Sequence, residues 1–110
     1  MLQEFHTLIN DLDSDGKPMG GEVQARGLTI HWQNGPLGRI GTDERIKPNG
    51  AFIETVIEAA RQRIQWYNDN GFGCRENSLA ITKLEEALHW LDARTKRRVR
   101  EGVEGTHEGS

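Results

Sequence analysis

The sequence predicts an α+β fold, in which a small antiparallel β-sheet is followed by an antiparallel helical hairpin and copies assemble as a homo-oligomer. The first observation is an alternation of period two in the first half, and the second is a pair of apolar helical stripes in the second half. The third is the length of 110 residues, which suffices for one small domain but leaves apolar faces that self-association can cover. We expect a single domain over residues 1–101 and a tail over residues 102–110.

The N-terminal residues predict a helix and a loop rather than strands. Apolar side chains recur at helical spacing in residues 1–10, which favours a short amphipathic helix. Residues 11–21 are rich in Asp and Gly and are expected to form a loop.

A small β-sheet is expected over residues 22–41. The side chains that would share one face of its first strand are Leu28, Ile30 and Trp32. The sequence Asn34-Gly35-Pro36 then reverses the chain, because Asn and Gly tolerate positive φ and Pro cannot extend a ladder. Residues 37–41 can return as a second strand, and the polar residues 42–48 form a loop.

A helical hairpin is expected over residues 50–101. Asn49 is a suitable N-cap for a first helix that ends near residue 68. The glycines of residues 70–73 stop this helix, and a second helix follows over about residues 76–100. Because the connection is short, the two helices should pair antiparallel.

An acidic pattern in the N-terminal loop admits two interpretations. Asp11, Asp13, Asp15, Gly16 and Glu22 match the spacing of a calcium-binding loop, in which carboxylates supply hard oxygen ligands. A solvated Asp/Gly turn accounts for the same residues, and the segment after Glu22 resembles a strand rather than the exiting helix that such a loop needs.

The end of the second helix carries a cluster of basic side chains, which are Arg94, Lys96, Arg97, Arg98 and Arg100. Cations at a helix C-terminus complement its dipole, and Asp92 can pair with Lys96 four residues on. Arg94 and Arg98 lie on one face with Thr95 beside them, so their guanidinium groups can also bind phosphate bidentately. Trp32 is similarly open to two interpretations, as a core aromatic or as a surface on which a nucleobase stacks.

The composition of the chain disfavours some classes of binding partner. A net charge of −3 disfavours a binder of long nucleic acids, and no run of apolar residues is long enough to span a membrane. The single cysteine, Cys74, excludes an internal disulfide and fits a reducing cytoplasm, and no signal peptide is expected. Neither a catalytic set nor the Cys/His spacing of a zinc site is visible, so we expect no enzyme and no cofactor.

Three segments together resemble a known family. They are GLTIHWQNGPLG, PNGAFIETVIEAARQRI and FGCRENSLAITKLEEALHWLDARTKRRVREGVEGTH, which cover about residues 27–107. They resemble small phage proteins of the Thoeris anti-defence family, which share a helical hairpin with the phage anti-CBASS cyclic-nucleotide sponges. The resemblance implies a non-enzymatic sponge that sequesters bacterial immune messengers (glycocyclic ADP-ribose or cyclic di- and trinucleotides). It also implies a dimer or hexamer, with pockets between protomers, in the cytoplasm of an infected bacterium.

The same resemblance implies which residues bind the messenger. Trp32 stands where the family often has Phe, and an insertion of about six residues, within residues 42–48, separates it from the Asn49-Gly50 turn before the first helix. The expected ligand-binding residues are Trp32, Asn34, Asn49, Arg63, Arg75, Arg94, Thr95 and Arg98.

Other functions remain possible from the sequence. A protein–protein adaptor could bind a host protein through the basic helix end, and the acidic loop leaves a calcium-dependent module open. A messenger-cleaving enzyme is disfavoured because no base or metal constellation is visible.

Overall fold

The protein has an α+β fold, and the computed structural model describes residues 4–38 and 41–101. The expected tail over residues 102–110 lies outside the described residues. The elements are three strands, β1 (Phe5–Leu12), β2 (Pro18–Ala25) and β3 (Leu28–Trp32), and two helices, α1 (Ile53–Tyr67) and α2 (Arg75–Arg100). The chain divides into two compact units: the described residues of the first are those up to Phe52 together with Glu101, and the second comprises Ile53–Arg100. An antiparallel sheet followed by two helices is confirmed.

The N-terminal helix that we expected over residues 1–10 is wrong. Over its described part the chain forms β1, which pairs antiparallel with β2 so that Leu8 lies opposite Val23. The apolar spacing fits both periods, but a helix of about ten residues is marginal alone, whereas the strand gains ladder hydrogen bonds to β2. The sheet therefore begins well before residue 22.

The single strand expected over residues 22–32 is two strands joined by a turn. β2 ends at Ala25, which pairs with Leu28 at the start of β3, so Arg26 and Gly27 form a two-residue connection. The order β1-β2-β3 makes β2 central, and its Val23 is the one buried hydrophobic side chain described in this unit. The shared face of β3 is confirmed, because its members lie opposite alternate β2 residues: Leu28, Ile30 and Trp32.

The return strand expected over residues 37–41 is absent from its described part, since neither Leu37 nor Gly38 belongs to a strand. Trp32 instead forms a parallel bridge with Ala51, further along the chain. Residues 42–48 form no strand or helix, as expected. Asn49 is not a helix N-cap, because α1 begins four residues later and the Asn49 side chain bonds elsewhere.

The helical hairpin agrees with the sequence. α1 runs into a five-residue π-type turn (Asn68–Phe72), where Gly71 has φ +89°, and α2 begins at Arg75. The Asn68 and Ser78 side chains hydrogen-bond to each other at 3.4 Å. The pKa of Arg61 is raised mainly by its hydrogen bond with Glu58, and also by the charge of Glu85 on α2. Because the connection between them is only residues 68–74 and α1 packs against α2, the two helices run antiparallel. Ile81 is the buried hydrophobic side chain described here, and neither helix is long and apolar enough to cross a membrane.

The acidic pattern at residues 11–22 is divided between two strands and the turn that joins them. The loop expected over residues 11–21 is therefore wrong at both ends, because residues 11–12 belong to β1 and residues 18–21 to β2. The Asp13 carboxylate accepts hydrogen bonds from the N–H groups of Asp15 (2.8 Å) and Lys17 (2.9 Å), and so organises the turn. Glu22 lies in β2, where its carboxylate accepts a hydrogen bond from Gln24. Within residues 4–38 and 41–101 no group of three His, Cys, Asp or Glu side chains is arranged to hold a metal ion.

We predict that Asp13→Ala lowers the free energy of unfolding by about 1–2 kcal/mol, because two turn N–H groups lose a charged acceptor. Urea denaturation followed by circular dichroism measures the change. The matched control is Asp15→Ala, which removes a carboxylate from the same turn without removing an acceptor of either bond. Equal losses in both variants would contradict this role for Asp13.

Candidate functional site

Two segments of the first unit are joined by hydrogen bonds around Trp32. The Ala51 N–H donates to the His31 carbonyl at 2.8 Å, and the Gln33 N–H donates to the Ala51 carbonyl at 3.0 Å. On its other side, the Trp32 backbone pairs with Gly21 of β2. We call the joined segments, residues 31–35 and 49–51, the clasp.

Side-chain amides complete the clasp. The Asn49 carboxamide is bonded to the Asn34 backbone in both senses, because its Oδ1 accepts from the Asn34 N–H (2.8 Å) and its Nδ2 donates to the Asn34 carbonyl (3.1 Å). The Gln33 Oε1 accepts from the Asn49 N–H at 2.8 Å, and its Nε2 donates to the Gly35 carbonyl at 3.2 Å. Polar side chains therefore fix the backbone on both sides of the loop that the clasp closes.

Gly50 allows the two segments of the clasp to approach closely. A Cβ atom at this position would lie 2.6 Å from the carbonyl carbon and oxygen of Trp32 and 2.7 Å from the Gln33 nitrogen. Trp32 itself is half-buried, so its ring is neither sealed in a core nor fully exposed. The clasp thus presents an aromatic side chain from a backbone that is held on both sides.

In the second unit, α1 holds one arginine against aromatic rings. The Arg63 guanidinium carbon lies 4.6 Å from the Trp66 ring centroid and 5.1 Å from that of Tyr67. Arg61, by contrast, is bound to the Glu58 carboxylate, and this hydrogen bond holds the pKa of Glu58 below its usual value. A stacked guanidinium keeps its N–H edge available for an anion, so Arg63 is the better-placed of these two arginines.

Some side chains at the basic end of α2 bond to other residues of the same helix. Lys96 pairs with Asp92 at 3.0 Å, as the spacing predicts, and the Thr95 hydroxyl donates to the Leu91 carbonyl at 3.2 Å. Arg94 is exposed, whereas Arg98 is buried with 7% of its surface accessible. An arginine this buried has partners, so its charge is part of the packing.

The first turn of α2 carries Arg75, an exposed residue next to the free Cys74. The Cys74 sulfur accepts from the Asn77 N–H at 3.4 Å, so the thiol caps the helix. At 1.5 Å per residue, Arg75 and Arg94 lie about 28 Å apart along α2. One small ligand cannot touch both residues of the same chain.

The eight residues that the sequence predicts for ligand binding therefore fall into separate groups. Trp32, Asn34 and Asn49 are brought together in the clasp. On α2, Arg94, Thr95 and Arg98 share the last turns and Arg75 lies in the first turn, while Arg63 lies on α1. Gln33, a clasp residue, was not predicted from the sequence, and neither were Trp66 and Tyr67, the aromatic neighbours of Arg63. Trp66 and Tyr67 follow Arg63 by three and four residues, a spacing that brings side chains together on a helix and was a usable signal.

Comparison with known proteins identifies the class to which this hairpin belongs. Residues 26–96 match the Acb2/Tad1 hairpin domain, which is more than half of the chain, and the protein therefore belongs to the Acb2/Tad1 hairpin-domain family. The chain is also 46% identical over 80 residues to Thoeris anti-defense 1 of Bacillus phage SBSphiJ7. That match covers 73% of this chain and 52% of the relative, so the chain spans about half the length of the curated relative. The family resemblance drawn from the sequence motifs is confirmed.

We predict that Gly50→Ala lowers the free energy of unfolding by about 1–3 kcal/mol, because the new methyl group overlaps the Trp32 carbonyl and forces the clasp apart. Thermal and urea unfolding measure the effect. Gly73→Ala is the control: this glycine has φ −68°, its Cβ would meet atoms no nearer than 3.5 Å, and no loss is expected. A Gly50→Ala protein as stable as the control variant would show that the close approach is not needed.

Proposed function

We propose that the protein is a phage anti-defence sponge, which binds nucleotide messengers of bacterial immunity and sequesters them without degrading them. The observation that carries this proposal is membership of the Acb2/Tad1 hairpin-domain family, whose matched region contains the clasp and all the candidate arginines except Arg98. The ligand classes that we propose are glycocyclic ADP-ribose, a messenger of Thoeris, and the cyclic di- and trinucleotides of CBASS. The protein would act in the cytoplasm of the infected host.

The chemistry of the candidate residues suits such ligands. A half-buried indole at Trp32 offers a π face for a nucleobase, and stacking of this kind is worth about 1–3 kcal/mol per base. Exposed guanidinium groups at Arg63 and Arg94 can donate charge-assisted hydrogen bonds to phosphates, at about 1.5–3 kcal/mol each. A few such contacts reach the affinity that sequestration needs, provided that the site is pre-organised.

A homo-oligomer is part of the proposal. The helical unit buries few apolar side chains and leaves several large ones exposed: Ile53, Trp66, Tyr67, Phe72, Leu79 and Trp90. Exposed aromatic side chains with arginine among them have the composition of interface hot spots. Because Arg75 and Arg94 of one chain lie about 28 Å apart, a second copy would also allow basic groups to converge on one ligand.

The alternative is a protein–protein adaptor, for which the exposed Trp90 and the basic end of α2 provide a surface. Purification from cells that make immune nucleotides distinguishes the two functions. A sponge releases an intact nucleotide on heating, which mass spectrometry detects. An adaptor instead recovers one host protein stoichiometrically and carries no nucleotide.

We predict that the protein binds at least one of glycocyclic ADP-ribose, a cyclic dinucleotide or a cyclic trinucleotide, and that Arg94→Ala weakens this binding about tenfold or more through loss of a charge-assisted bond. Isothermal titration calorimetry measures both. Lys83→Ala is the control, because it removes an equal charge from an exposed position of the same helix. Absence of binding to all three classes at micromolar concentrations would refute the sponge.

We predict that Trp90→Ala shifts the protein towards smaller species in analytical ultracentrifugation. Trp90 is 72% exposed in the single chain, so its truncation removes interface area but little of the packing within the chain. Glu86→Ala, an exposed position one turn away, should leave the distribution unchanged. If both variants sediment like the parent protein, Trp90 lies outside the interface.

A further inference from the structure

Asn49 was expected to contact the ligand, yet its carboxamide is already engaged. Its oxygen accepts from the Asn34 N–H and its nitrogen donates to the Asn34 carbonyl, so both ends of the amide are bonded to one backbone unit. An amide used in this way mimics a strand partner, and it fixes the backbone of residue 34 as a ladder would.

The Asn34 side chain is in the opposite situation. Its backbone is held by Asn49, but its carboxamide forms no hydrogen bond with any residue in the described ranges 4–38 and 41–101. It is exposed, and it lies two residues from Trp32 on the same segment of the clasp. Asn34 therefore presents a hydrogen-bond donor and an acceptor from a constrained backbone, two residues along the chain from the half-buried Trp32.

Gln33 extends the same division of roles. Its side chain spans the clasp, since Oε1 accepts from the Asn49 N–H and Nε2 donates to the Gly35 carbonyl. Gly50 permits the close approach behind Trp32 that brings these groups within reach. The amide side chains of Gln33 and Asn49 thus hold the backbone of the clasp. Trp32 and Asn34 are displayed from this held backbone.

We propose that Asn49 and Gln33 are positioning residues, which hold the Trp32–Asn34 segment in its binding conformation, and that the Asn34 carboxamide is the polar group of the clasp that contacts the ligand. The proposal rests on the proposed function and assigns roles within it. A side chain displayed from a fixed backbone loses less freedom on binding than one displayed from a mobile loop, which mainly slows ligand dissociation. An amide can both donate to and accept from an adenine-type edge or a ribose hydroxyl, which suits the nucleoside part of the proposed messenger.

The test uses three single variants of the full chain: Asn49→Ala, Asn34→Ala and, as control, Thr29→Ala. Thr29 is an exposed residue of β3 that lies outside the clasp and on the opposite face of the strand from Trp32. No positive φ occurs at a non-glycine residue among those described, so Ala at position 34 introduces no backbone strain. Amide hydrogen exchange of Asn34 is measured without ligand by NMR, and affinity and dissociation rate are measured with the messenger that the parent protein binds.

Positioning and contact give different patterns. Asn49→Ala should speed exchange of the Asn34 amide about tenfold and weaken binding about tenfold, equal to about 1.4 kcal/mol. Asn34→Ala should weaken binding by a similar factor while leaving exchange of its own amide unchanged, and Thr29→Ala should change neither quantity. In the double variant the losses should be less than additive, because Asn49 acts through Asn34.

Three results would overturn the assignment. Weaker binding by Asn49→Ala with parental exchange at Asn34 would make Asn49 a direct contact. Parental affinity in Asn34→Ala would remove that side chain from the ligand. If the parent protein binds no messenger, the proposed function fails and the contact role with it, whereas unchanged exchange in Asn49→Ala would refute the positioning role by itself.

Discussion

Each of the two units buries little apolar surface, and this constraint determines which other interactions must hold the structure. The strand unit and the helical unit each contain one buried hydrophobic side chain among the described residues, Val23 and Ile81. Burying such a side chain contributes about 1.5–3 kcal/mol, which is small beside the conformational entropy of ordering a hairpin. Turns and side-chain hydrogen bonds therefore carry an unusual share of the structural specification. Asp13 organises one turn in this way, and the Gln33 and Asn49 amides organise the clasp.

The clasp links this constraint to the proposed function. A loop closed by amide side chains needs little apolar area, so Trp32 does not have to enter a core in order to be fixed. Its backbone is bonded to β2 on one side, and on the other its neighbours bond to Ala51. An aromatic residue that is only half-buried and has its backbone held in place suits stacking on a base, because little backbone freedom is lost when a ligand binds.

The arginines are arranged differently from the clasp residues, because a long helix spaces its charged side chains along its length. Arg75 and Arg94 mark regions about 28 Å apart on α2, and Arg63 is held by aromatic rings on α1. A single small anion meets only a subset of these groups in one chain. This spacing favours several ligand contacts per assembly, or pockets to which more than one chain contributes. Either arrangement agrees with the homo-oligomer that we propose from the exposed aromatic side chains.

The sequence by itself determined the features that local periodicity encodes. Helix α2, the glycine-containing stop at residues 70–73, the shared face of Leu28, Ile30 and Trp32 and the family motifs could all be predicted from residues close together in the chain. Tertiary structure alone decided that β1 is a strand, because its hydrogen-bond partner is supplied by β2 rather than by its own spacing. It also decided that Asn49 holds the Asn34 backbone instead of capping a helix. A bond between residues fifteen positions apart leaves no periodic signal, and an amide side chain suits either role equally well until the fold brings its partner within 3 Å.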